Sequence, residues 1–217
     1  METPARTGEL RSIAADRSVL IAAATIMFAV RAVVAYMLWR PGWSALYWDD
    51  FTRVALGQEW AHRPFLATGD MVWLPLQTWV YGLGFAATGE AFADNPMLLA
   101  ALVNSAAVVG AAVLVGRAAW LLFGSAAGGL IAFATILFTP WAVFTSLSGL
   151  SEPLYYLAIA IVVWALAARQ SGGGLDTVAV GSLGVASAAA VRYEGWLLAP
   201  VWIAIVGVSL LPATPSL

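Results

Sequence analysis

SVLIAAATIMFAVRAVVAYMLW, residues 18–39, is the stretch that decides the fold. It is a single apolar run broken only by Arg31, and it matches the about 20 residues a helix needs to cross the hydrocarbon of a bilayer. The run is too long for the core of a signal peptide and no small-x-small cleavage site follows it, so it reads as an uncleaved anchor. Comparable runs follow at residues 97–116, 124–145, 153–168, 177–191 and 196–212. The composition agrees: of 217 residues, 62% are hydrophobic and 10% charged, where soluble chains carry roughly a quarter charged. The expected fold class is therefore all-α, a polytopic transmembrane helical bundle of about six spans with outer-face juxtamembrane amphipathic helices. Residues 1–17 read as a cytoplasmic N-terminal tail and 18–217 as the transmembrane domain, with a first outer loop at 40–96.

The polar residues exclude several functions. The chain has no cysteine, which removes disulfides, thiolate metal sites and cysteine nucleophiles. A net charge of −2 gives no basic footprint, so no nucleic-acid partner is expected. All ten cations are arginine. Arg6, Arg11 and Arg17 place the N-terminus inside by the positive-inside rule. The segment 71–87, MVWLPLQTWVYGLGFAA, is long enough to span but carries Pro75 and Gln77. If it crossed, Arg117 would fall outside; if it lies along the outer surface, Arg117 and Arg169 both fall inside. The second arrangement is adopted. It gathers Asp49, Asp50, Glu152 and Glu194 on the outer face with Arg192. Trp43, Trp48, Trp60, Trp73 and Trp79 all fall in the first outer loop.

Three motifs stand at that face. Tyr47-Trp48-Asp49-Asp50-Phe51 pairs two carboxylates just beyond the first span, where they suit a base or a metal ligand, or simply the first turn of a helix. Phe51, Val54, Ala55 and Trp60 are spaced to share one apolar face, with Arg53 and Glu59 off it. Ser148-Gly149-Leu150-Ser151-Glu152-Pro153 opens the fourth span, with Ser151 as N-cap and Pro153 in the first turn. A carboxylate at the membrane boundary is costly unless it faces a polar cavity, which marks Glu152 as a functional candidate. Arg192-Tyr193-Glu194-Gly195-Trp196 reads either as a topological anchor or as an anion-binding arginine steadied by a carboxylate. Arg31 either snorkels to the outer interface or meets a buried acid or lipid phosphate. His62 is the single histidine, so no histidine pair can complete a metal site.

In their order and sidedness these motifs, with Trp73-Leu74-Pro75-Leu76, resemble the GT-C glycosyltransferases, polytopic enzymes that use lipid-linked sugars. The chain is similar to bacterial mannosyltransferase-like and dolichyl-phosphate-mannose-protein mannosyltransferase-like members over about residues 18–210. The resemblance implies transfer of a sugar from a polyprenyl-phosphate donor to an acceptor hydroxyl on a glycan or protein, at the outer face of a bacterial inner membrane. It implies Asp49, Asp50 and Glu152 as catalytic residues, with Asp50 favoured of the pair because the family's acid often begins the helix. Arg192 and Arg31 would bind the donor phosphate; Trp48, Tyr193, Glu194 and His62 would line the substrate site. A divalent cation, Mg or Mn, serves some members. Full members have roughly twice as many spans, so the chain would be an N-terminal fragment, a truncated reading frame or a degenerate relative of such an enzyme. Rival readings are a membrane transporter half and a non-catalytic membrane scaffold; against the first, the charges lie at span ends rather than near the midplane.

Overall fold

The computed structural model describes residues 4–39, 48–66 and 73–210, with side chains described from Ser18 to Val208. Arg40, Trp43, Tyr47 and the terminal Leu-Pro-Ala-Thr-Pro-Ser-Leu lie outside the described residues, as do the side chains of Arg6, Arg11 and Arg17. Every regular element among the described residues is helical.

The long helices are α1 (Pro4–Leu38), α4 (Pro96–Phe123) and α7 (Glu152–Gln170), each with an apolar segment long enough to cross a membrane. Between α1 and α4 come two shorter helices, α2 (Trp48–His62) and α3 (Pro75–Thr88). After α4 come α5 (Ala126–Phe138) and α6 (Pro140–Ser146), and after α7 come α8 (Leu175–Val191), a 3₁₀ turn at Tyr193–Leu197, and α9 (Leu198–Leu210). Proline sits in the opening turn of α3, α4, α6 and α7, where its missing N–H costs nothing. Gly124 ends α4 with φ at +64°, a left-handed conformation that favours glycine.

The run expected at 124–145 is not one straight span. It breaks at Thr139-Pro140, and the α5 and α6 axes differ by 59°. Proline removes a helical donor, so carbonyls near the break need other partners. Arg31 meets one such carbonyl and reaches across the break: Nη2 donates to Leu137 O at 2.5 Å and Nη1 to the Ser146 hydroxyl. Its side chain is 5% exposed. The arginine in the first span thus bolts α1 to both halves of the broken one. The fifth and sixth expected spans correspond to α8 and Tyr193–Val208, which are apolar but shorter than the three long helices. Three long helices and the bent pair give up to four membrane crossings by length and composition.

α4 is the central mast. It packs on α1, α5 and α7, and 56% of its most apolar window is buried, against 17% for α1. Leu20 of α1 packs in one cluster with Val109 and Ala112 of α4, and Ala35 in another with Ala100 and Ala101, so the two helices run antiparallel. Asn95 Nδ2 donates to Trp39 O. The segment between them therefore starts and ends at the same point of the bundle. α3, 14 residues long, reaches about 21 Å at 1.5 Å per residue, short of the roughly 30 Å of bilayer hydrocarbon. It packs on α2 and touches α4 and α8.

The buried strip of α2 is Asp50, Val54 and Gly57; of the expected face Val54 is buried and Trp60 packs on Gly82, but Phe51 is not covered. Phe51 is 58% exposed. Small residues explain the difference: a Cβ on Gly57 would stand 2.7 Å from Tyr81 Cβ, and one on Gly82 would enter the Trp60 ring at 2.3 Å. α2 and α3 cross where glycine lets them approach, a pattern that apolar spacing does not reveal.

Candidate functional site

One end of the bundle holds the end of α1, α2 and α3, the loop 146–152 and the turn after α8. That loop is irregular backbone against the core, with Ser146, Ser148 and Ser151 all 0% exposed. Irregular backbone at such a place requires its carbonyls to be satisfied internally. Side chains from α3 and α4, with Trp39 just past the end of α1, do this in succession. Ser105 donates to Ser146 O (3.1 Å), Trp39 Nε1 to Leu147 O (2.8 Å) and Gln77 Nε2 to Gly149 O (2.7 Å). Asn104 Nδ2 donates to both Ser148 O (2.7 Å) and Leu150 O (2.9 Å). Five consecutive carbonyls are thereby held.

The loop delivers Glu152 to the first turn of α7, where the helix dipole favours a carboxylate. Ser151 occupies the N-cap position, but its hydroxyl makes no capping bond; it lies 3.5 Å from Arg192 Nη1 instead. Arg192 bridges two acids, with Nη1 2.7 Å from Glu152 Oε1 and Nη2 3.0 Å from Glu194 Oε1. Glu152 Oε2 is buried and has no hydrogen-bond partner among the described residues. The hydrogen bond from Arg192 holds the Glu194 carboxyl below its ordinary range, and the bond to Glu194 raises the Arg192 guanidinium despite partial burial.

Arg53, set aside in the sequence as lying off the apolar face, belongs to this group. Its Nη1 donates to Gln77 Oε1 at 2.5 Å, and its guanidinium carbon stands 4.2 Å from the centre of the Trp73 ring. Burial lowers its pKa from the ordinary value, while Tyr81, Asp49 and Glu152 act in the opposite direction and Arg192 adds to the lowering. An arginine remains protonated under such a shift. Beneath it, fully buried Tyr81 is pushed above the ordinary phenol range by burial, with Gln77 and Asn104 at its hydroxyl. Arg53, Trp73, Ser151, Arg192, Tyr193 and Glu194 line a cleft of about 250 Å³.

The two adjacent aspartates diverge. Asp50 is 0% exposed, with its backbone under Gly149, whereas Asp49 is exposed at the rim and within electrostatic reach of Arg53. Trp48 is 84% exposed. Tyr193 lines the cleft and meets Trp196 edge-on at 5.3 Å. Two expected site residues do not join the group. Arg31 commits its donors to Leu137 and Ser146, and His62 stands at the far end of α2 beside Gln58 and Glu90. Thirteen positions of helix separate His62 from Asp49, about 20 Å at 1.5 Å per residue. Among the described residues no three acidic or imidazole side chains converge to hold a divalent ion.

Gln77, Asn104 and Arg53 are the residues that sequence reasoning missed as site members. For Gln77 and Asn104 the signal was present: each is a polar side chain in an otherwise apolar helix, where burial is costly without a partner. Comparison with protein-family models, with curated proteins and with solved structures finds no match to this chain.

Proposed function

We propose that the cleft is the reaction site of a GT-C-like membrane glycosyltransferase, taking a sugar from a polyprenyl-phosphate donor at the outer face of a bacterial inner membrane. The observation that carries the reading is the pairing of Arg53 on Trp73 with the Arg192–Glu152 ion pair across one cleft at the rim of an apolar bundle. The bundle suits a lipid tail, the cations suit its phosphate and the aromatic ring suits a sugar face.

The roles divide by what each group already holds. Arg192 is engaged by two carboxylates, while the hydrogen-bond partner of Arg53 is the neutral amide of Gln77. Arg53 is thus the cation open to the donor phosphate, and it stabilises negative charge as the bond from phosphate oxygen to the anomeric carbon breaks. Asp49, exposed beside it, is the base that takes the acceptor hydroxyl proton as the oxygen attacks the anomeric carbon; buried Asp50 has no such access. Glu152 Oε2 accepts a hydrogen bond from an acceptor or sugar hydroxyl. No step is assigned to a divalent ion.

The test is transfer by the purified chain in liposomes, with radiolabelled polyprenyl-phosphate mannose and glucose as donors. Sugar release from either donor, lost in Asp49→Asn and in Arg53→Met, is the expected result. Solute flux across the liposome with no release from either donor would replace the proposal with a transporter.

A further inference from the structure

The amide of Gln77 faces two ways. Oε1 accepts from Arg53 Nη1 at 2.5 Å, and Nε2 donates to Gly149 O at 2.7 Å and to the Tyr81 hydroxyl at 3.0 Å. The side chain is 2% exposed, so none of these bonds is exchanged cheaply for water. Gly149 stands in the loop that leads directly to Glu152, and four further side-chain bonds immobilise the neighbouring carbonyls. One amide therefore fixes the cation of α2 and the loop that carries the acid of α7.

We propose that Gln77 is a positioning residue: it orients Arg53 toward an anion in the cleft and, through Gly149, holds the loop 146–152 that sets Glu152 opposite that anion. The ligand part of this inference rests on the donor-phosphate reading above; the loop part does not. A carboxylate at position 77 would hold Arg53 more tightly but could not donate to Gly149, and an aliphatic side chain would do neither. Glutamine is the one uncharged side chain of this reach that accepts on one side and donates on the other.

Binding of polyprenyl phosphate without sugar, to full-length protein in nanodiscs, separates positioning from general support. Gln77→Met weakens binding about tenfold in the native background, the effect of one hydrogen bond to a charged group. In the Arg53→Met background the same substitution changes binding less than about twofold, because Gln77 acts through Arg53. Equal weakening in both backgrounds, or none in the native one, overturns the ligand part. Amide hydrogen exchange reads the loop independently. Gln77→Met speeds exchange across residues 148–152 about tenfold and leaves the middle of α4 unchanged; unchanged exchange overturns the loop part. If the native protein does not bind polyprenyl phosphate, the function and ligand readings fall together, while the exchange measurement still decides the loop. Should Gln77→Met fail to accumulate, Gln77→Glu carries the exchange test, since it too lacks the donor to Gly149.

Discussion

Gly149 lies against the backbone of Asp50 so closely that a Cβ on it would stand 2.9 Å from Asp50 O and 3.1 Å from Asp50 Cα. The loop before α7 and the first turn of α2 are in contact through bare backbone. Gly149→Ala must push them apart, and neither can give readily, because Gly149 O is held by Gln77 and Val54 Cγ2 closes the third side at 3.2 Å. The expected cost is about 1–3 kcal/mol, that of overpacking a close contact. Thermal unfolding in detergent measures it, and sugar release should fall further than stability does, because Asp49 and Glu152 move relative to each other.

Arg31 is expected to matter for the bundle and not for the ligand. Arg31→Lys keeps the charge but loses the fork that reaches Leu137 O and Ser146 Oγ together. One buried acceptor is left without its donor, which costs about 1–3 kcal/mol. Affinity for polyprenyl phosphate should stay within about twofold of the native value, well under the tenfold of 1.4 kcal/mol. A large loss of affinity with unchanged stability would return Arg31 to the phosphate site.

The Arg192–Glu194 pair gives a pH dependence of defined sign. Glu194 is held below its ordinary value by the bond from Arg192, so it binds its proton more weakly folded than unfolded. Its stabilisation is fully present above the unfolded carboxylate range, near pH 4.3, and is lost as pH falls through the lower folded value. Glu194 is largely exposed, so the effect is small, of the order of 0.2–1 kcal/mol. Unfolding temperatures of the native chain and Glu194→Gln should differ above the carboxylate range and converge as pH falls through the lowered folded value.

The absence of cysteine makes topology directly measurable. Single cysteines at Glu90 and Glu194 should react alike with a membrane-impermeant maleimide on intact cells, and one at Ser171 should react only after permeabilisation. All three positions are exposed, and the first two belong to the end of the bundle that α7 leaves before reaching Ser171. Labelling of Glu90→Cys and Glu194→Cys from opposite sides would contradict the shared end.

Much of the bundle was legible because a bilayer imposes one strong rule, an apolar run of fixed length, and the runs at α1, α4 and α7 obey it. The break at Thr139-Pro140 was not, although Pro140 lies in plain view: whether proline kinks a span depends on who satisfies the freed carbonyls, and Arg31 is 106 positions from Leu137 in the chain. The acids and Arg192 were legible as a group through their expected sidedness. Arg53 was not, because its partners Gln77 and Trp73 come from the next helix and the segment before it, and helical periodicity gives only its own face. Asn104 is the one strongly polar residue of its run, and its purpose lies 44 and 46 residues away, at Ser148 and Leu150.

The bond from Asn95 to Trp39 carries a last consequence. The excursion begins and ends at neighbouring atoms, yet Val54, Tyr81 and Phe85 root it in the same core cluster as Ala35, Ala100 and Ala101. A short turn joining Trp39 to Asn95 would strip that cluster of three buried side chains and free the Gly149 carbonyl that Gln77 holds. Such a protein would keep the arginine bolt and lose Arg53, the Trp73 ring and both aspartates in a single excision, while Glu152 and Arg192 stayed behind. The cleft and the bundle are therefore built on one shared core, and neither can be exchanged without disturbing the other.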